Sequence, residues 1–107
     1  MKLDGLAKMT KFEVVVNGAE AANVRDTIKR TGATGFTSLS GVSGLGHDGY
    51  HQGKLLFNDD AALELLITVV PESKVDELLA GLRPLLSESS GVMFLTETWV
   101  SRPEYFE

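Results

Sequence analysis

The chain has 107 residues, 43% of them apolar and 23% charged, which is one domain's length with the composition of a folded globular protein. Its net charge of −5 argues against a general nucleic-acid binder, which needs a basic surplus or stripe; the Lys and Arg are scattered along the chain, with only Lys29 and Arg30 adjacent. With no cysteine there is no disulfide, no thiol chemistry and no cysteine-held zinc, and no apolar run is long enough to span a bilayer. A cytoplasmic location is expected.

Residues 1–10 show no periodicity and no apolar core of a signal peptide, so a flexible tail is expected before a domain at 11–107. Residues 11–18, KFEVVVNG, run from valines into Asn-Gly, a strand followed by a turn. Over 19–32, Ala21, Val24, Ile28 and Thr31 share one helical face. Lys29 and Arg30 stand in the last turn, where cations favour the negative helix end, and Gly32 stands where a left-handed cap is expected. Residues 34–41, TGFTSLSG, read as a second strand. From about 41 to 60 the chain is rich in glycine, carries both histidines, and closes on Asn-Asp-Asp. ALELLITVV, 62–70, is a nearly continuous apolar run ending at Pro71, the pattern of a central strand buried on both faces. Over 71–91, Ser73 and Asp76 resemble a capping box, and Val75, Leu78, Leu79, Leu82, Leu85 and Leu86 form a helical stripe. Pro84 predicts a kink or an early end near 80–83. GVMFLTETWV, 91–100, reads as the last strand.

The order β-α-β-β-α-β predicts an α+β, ferredoxin-like fold: two helices on one face of a four-stranded antiparallel sheet. The other face then carries apolar residues with nothing over them, and an uncovered apolar face on a small domain predicts an oligomer. A connection of nearly twenty residues between the second and third strands is too long for a hairpin and predicts a functional loop.

That loop has a recognisable beginning. Gly32-Ala33-Thr34-Gly35-Phe36-Thr37 followed by Gly44-Leu45-Gly46 resembles PII signal-transduction proteins, in which a Gly-x-Thr-Gly-x-Thr run leads into the second strand and a Gly-aromatic-Gly opens the long T-loop. The form with Phe36 is most similar to the PII-like group associated with carboxysomes and bicarbonate transporters. The resemblance spans 11 to about 100 in element order and is specific in residues over 32–46. It implies a homotrimer with an adenine nucleotide in each cleft between subunits, a T-loop whose conformation selects a protein partner such as a bicarbonate transporter or carboxysome component, and no catalysis.

Carried over by position, the resemblance implies a nucleotide site from Gly35, Thr37 and Ser38, from Gly44, Leu45 and Gly46, from the turn Ser90, Gly91 and Val92, and from Arg102. Glycines at 44 and 46 suit a close backbone approach to ligand. The family's Gly-Asp-Gly-Lys turn reads Ser-Ser-Gly-Val at 89–92, so Val92 replaces its lysine, and a second lysine before the third strand is lost within NDDAAL. Less positive charge to oppose a triphosphate favours ADP or AMP over ATP. Relatives tied to inorganic carbon suggest bicarbonate as a second ligand, with the backbone amides of Gly41, Val42 and Ser43 and the Arg102 side chain as its expected site.

Other candidates read more simply. His47, Asp48 and His51 lack a third strong ligand, so they are taken as solvent-facing loop residues rather than a metal site. Asp59, Asp60 and Glu64 read as turn chemistry, and Glu97 and Glu104 as ion-pair partners rather than acid-base groups. Trp99, Tyr105 and Phe106 are expected to pack, with the tail folding back on a neighbouring subunit. Tyr50 lies in the loop in different surroundings from the modified tyrosine of many relatives. No serine has a histidine beside it, which argues against a serine nucleophile. Two other readings of the same element order stay open: a small dimeric α/β-barrel enzyme of isomerase or monooxygenase type, and a trimer of the divalent-cation-tolerance type.

Overall fold

The structure, a computed structural model, describes residues 4–46, 49–51, 62–89 and 91–107. In chain order the elements are β1 (Ala7–Asn17), α1 (Gly18–Arg30), β2 (Thr37–Val42), β3 (Gly44–Gly46), β4 (Gly49–His51), β5 (Leu63–Val70), α2 (Val75–Ser87) and β6 (Val92–Val100). Short 3-10 turns at Glu72–Lys74 and Pro103–Tyr105 precede α2 and follow β6. The main sheet runs β2-β5-β1-β6, with each described pair antiparallel, which is the expected ferredoxin-like order.

Alternation along the strands decides which residues meet the helices. Phe12, Val14 and Val16 of β1 and Leu66 and Val70 of β5 are fully buried against Ala21, Val24 and Ile28 of α1 and Leu78 and Leu82 of α2. The two helices approach closely because α2 carries Gly81: a methyl there would lie 2.7 Å from the Thr27 Cγ2 of α1 and 3.2 Å from that of Thr31. Arg25 of α1 reaches down to Glu64 of β5 at 2.5 Å, tying helix to sheet. Glu64 is thus an ion-pair partner, whereas Asp59 and Asp60 lie outside the described residues.

The opposite face carries a second apolar row and has no helix over it. Leu39, Leu65, Val15 and Val92 stand in register across all four strands, and Ile67 and Phe94 flank Glu13 in the next row. Leu39 is 51% exposed and Phe94 56% exposed in the single chain.

Four expectations are corrected. The tail expected at 1–10 is shorter, because Ala7–Thr10 pair with Glu97–Val100 of β6 and Met9 is buried. The strand extends there because β6 offers a partner, a long-range cause that local periodicity does not carry. Ser73 forms no capping box: a 3-10 turn leads into α2, whose N-cap is Lys74 without a side-chain cap bond. Pro84 does not end α2, which runs on to Ser87. A proline inside a helix costs about 3 kcal/mol, but the partly buried Leu85 and Leu86 beyond it pack on the core, each adding a share of the roughly 1.5–3 kcal/mol that full burial of a leucine contributes. Finally, the glycine-rich segment is not structureless throughout, since β3 and β4 pair as an antiparallel ladder from Gly44↔His51 to Gly46↔Gly49.

Candidate functional site

The expected ligand-binding residues begin in the turn between α1 and β2, which is held from several sides. Gly32 adopts φ +88° just after the helix end, as expected of a left-handed cap. Lys74 Nζ donates to its carbonyl at 2.8 Å. Thr34 Oγ1 donates to the Tyr105 carbonyl at 2.6 Å. The buried Thr68 Oγ1, in the middle of β5, donates to the Gly35 carbonyl at 2.6 Å. Thr37 and Ser38 therefore leave a fixed point and run out along β2, both exposed.

Farther along β2, Gly41 breaks the ladder. Ser40 pairs with Glu64 and Val42 with Leu63, leaving Gly41 as the extra residue at φ +71°. A left-handed glycine in that position makes a bulge that bends the edge strand. The bend turns Val42 and Ser43 into β3, where Gly44, Leu45 and Gly46 follow.

Gly91 sits at the start of β6, its amide donating to Ser89 Oγ at 3.1 Å. A side chain could not stand there, because a Cβ would lie 2.6 Å from Val16 Cγ1 and 2.9 Å from Leu86 Cδ2. Val92 is exposed beside it, and Ser90 lies outside the described residues.

Arg102 follows the far end of β6. Its Nη1 donates to the Tyr105 hydroxyl at 2.9 Å, and its guanidinium carbon lies 5.4 Å from the centre of the Tyr105 ring. The tail folds back on its own chain at Thr34. Glu97 pairs with Lys8 at 3.3 Å, and nothing in the described residues gives Glu104 a catalytic partner.

These contacts divide the expected site into two groups. Gly35, Thr37, Ser38 and Arg102 gather where β2 begins and β6 stops. Gly41 to Gly46 and Gly91 to Val92 lie where β2 ends and β6 begins. At about 3.3 Å per residue the length of β2 puts roughly 16 Å between the groups, and β6 roughly 26 Å. In one chain, Arg102 therefore does not meet the amides of Gly41, Val42 and Ser43. β2 and β6 are also opposite edges of the sheet.

Folding also gathers cations that the sequence scatters. Lys29 Nζ stands 5.9 Å above the Phe36 ring, Lys74 is on Gly32, and Arg102 is linked through Tyr105 to Thr34. Among the described residues, none of these three cations pairs with a carboxylate. By contrast, the described cleft of about 400 Å³ lies elsewhere. Glu72, Asp76 and Glu97 line it against a single Lys8, the wrong balance for a phosphate, and none of the expected ligand residues lines it.

The chain matches the family of nitrogen regulatory protein P-II over residues 9–105. It belongs to the P-II family. Among solved structures, it is 38% identical to CPII, a nitrogen regulatory PII-like protein from Thiomonas intermedia K12 bound to ADP, AMP and bicarbonate, over 94% of this chain and 95% of that one, with a TM-score of 0.87. Against CPII bound to ADP and bicarbonate it is 35% identical over 95% and 97% of the two chains, with a TM-score of 0.85. Against CPII bound to ADP, AMP and acetate it is 35% identical over 94% and 96%, with a TM-score of 0.77. No curated protein matches the chain. The P-II assignment decides among the readings left open by element order, in favour of a regulatory protein over a dimeric barrel enzyme or a divalent-cation-tolerance protein.

Sequence reading passed over Thr68 of this P-II chain and took Tyr105 only as a packing residue. Thr68 is the one hydroxyl in the apolar run Leu65–Val70, and that exception was a signal for a buried polar contact. Tyr105 gave no comparable signal, because its partners are distant in sequence.

Proposed function

We propose that this chain is a homotrimeric PII-like sensor that binds ADP or AMP in clefts between subunits, binds bicarbonate as a second ligand, and reports occupancy through the T-loop to a partner in inorganic carbon metabolism. That partner is a bicarbonate transporter or a carboxysome component. The observation that carries the reading is the 38% identity, over nearly the whole of both chains, to a protein whose structure holds ADP, AMP and bicarbonate.

The geometry supports a site shared between subunits. One chain separates the Thr37–Arg102 group from the Gly44–Gly91 group, so a neighbouring copy must supply one of them. The open sheet face, with its row of Leu39, Leu65, Val15 and Val92, supplies the apolar surface for that association. Within the shared site, Gly35, Thr37 and Ser38 face the nucleoside, while Gly44, Leu45, Gly46, Ser90, Gly91 and Val92 wrap the phosphates. Arg102 adds positive charge from the adjacent copy. The backbone around the Gly41 bulge, with Gly41, Val42 and Ser43, is the proposed place for a small oxyanion, which bicarbonate and acetate both present. Bound ligand satisfies loop amides and offsets the entropy of ordering the T-loop, and the partner reads the ordered state.

Calorimetry and native mass measurement test this reading. ADP is expected to bind one site per subunit, with bicarbonate tightening it, and the mass is expected to be three chains. No heat from ADP, AMP or ATP, or a mass of two chains, would sink it.

A further inference from the structure

We propose that Tyr105 is a positioning residue for Arg102, and that through it the C-terminal turn makes the site discriminate nucleotides by their phosphates; this rests on the nucleotide reading above. Three hydrogen bonds run in sequence from the core to the charge. Thr68, 2% exposed, holds the Gly35 carbonyl at 2.6 Å. The neighbouring Thr34 hydroxyl holds the Tyr105 carbonyl at 2.6 Å. The Tyr105 hydroxyl accepts from Arg102 Nη1 at 2.9 Å while its ring lies under the guanidinium.

The last link leaves the positive charge uncompensated. A phenol and an aromatic face orient a guanidinium without neutralising it, whereas a carboxylate would compete with an incoming phosphate. Arg102 makes no ion pair among the described residues. The Lys8, Lys11 and Arg25 side chains, by contrast, are each paired with a carboxylate. An arginine on an exposed tail otherwise has many rotamers, and fixing one in advance lowers the cost of ordering it on a ligand.

A role confined to stability does not account for the arrangement. Tyr105 is 59% exposed and belongs to no core cluster. Its hydroxyl contacts Arg102 and no other described residue.

The test compares the full-length wild type with Y105F, R102A, the Y105F/R102A pair and T34V. By calorimetry, Y105F weakens ADP about three- to tenfold and leaves adenosine, which has no phosphate, unchanged. R102A weakens ADP further, and adding Y105F to R102A costs nothing more, because Tyr105 acts through Arg102. Equal ADP affinity in Y105F and wild type, equal losses for ADP and adenosine, or additive losses in the pair would each overturn the proposal. A nucleotide-independent arm uses amide exchange, in which T34V speeds exchange at Tyr105 and Phe106; unchanged exchange overturns the link to Thr34. If the wild type binds no nucleotide, the functional reading fails, and the exchange arm still decides whether the turn is held.

Discussion

The two faces of the sheet are built from the same kinds of residue and end in opposite states. On one, Phe12, Val14 and Leu66 are completely buried by the chain's own helices. On the other, Leu39, Val92 and Phe94 remain half exposed although they are equally apolar. Alternation supplies both faces at once, but two helices of thirteen residues each cover only one. The covered face is where the chain stores its own stability, and the open face is the surface assigned above to the proposed association.

Substitutions on the two faces separate these roles, with stability measured at one fixed protomer concentration because assembly contributes to it. Phe12→Ala, on the covered face, is expected to cost about 3–5 kcal/mol in denaturant unfolding. A loss below about 1 kcal/mol would mean that the buried side is not the main store. Phe94→Asp, on the open face, places a carboxylate where copies would meet in the proposed trimer, and burying it unpaired costs several kcal/mol per ion. It is expected to abolish assembly by mass measurement while leaving the far-ultraviolet circular dichroism of the chain intact. Persistent trimers would show that a different surface associates.

Smaller effects sharpen the account of the covered face. Gly81→Val is expected to cost about 1–3 kcal/mol, because the side chain meets Thr27 and Thr31 across the helix pair. Glu64→Gln removes the charge from a half-buried tie between helix and sheet and is expected to cost about 1–2 kcal/mol. Lys8→Ala breaks an ion pair whose side chains are 57% and 66% exposed, and its expected cost is below about 0.5 kcal/mol.

Much of the fold was legible because periodicity is local. The stripe from Val75 to Leu86 and the apolar run 63–70 each state their own element within a dozen residues. The glycine pattern of 32–46 was legible for another reason: residues that need positive φ or close backbone approach have few substitutes, and Gly32 and Gly41 both adopt positive φ. The β3–β4 ladder was hidden because a strand of three residues, two of them glycine, has no periodicity to read. The course of α2 through Pro84 was hidden because packing of Leu85 and Leu86, not propensity, decides it.

From the residues alone followed the element order, the identity of the core stripe, the glycine turn and its resemblance to PII proteins. Only the tertiary structure decided that Arg102 stands with Thr34 and not with Gly41, that Thr68 anchors Gly35, and that Lys29, Lys74 and Arg102 surround one turn. Apart from Lys29, which meets the nearby Phe36, those are meetings between residues 33 to 71 positions apart. Local pattern reaches a few residues along the chain, whereas strand order and register determine which distant ends come together.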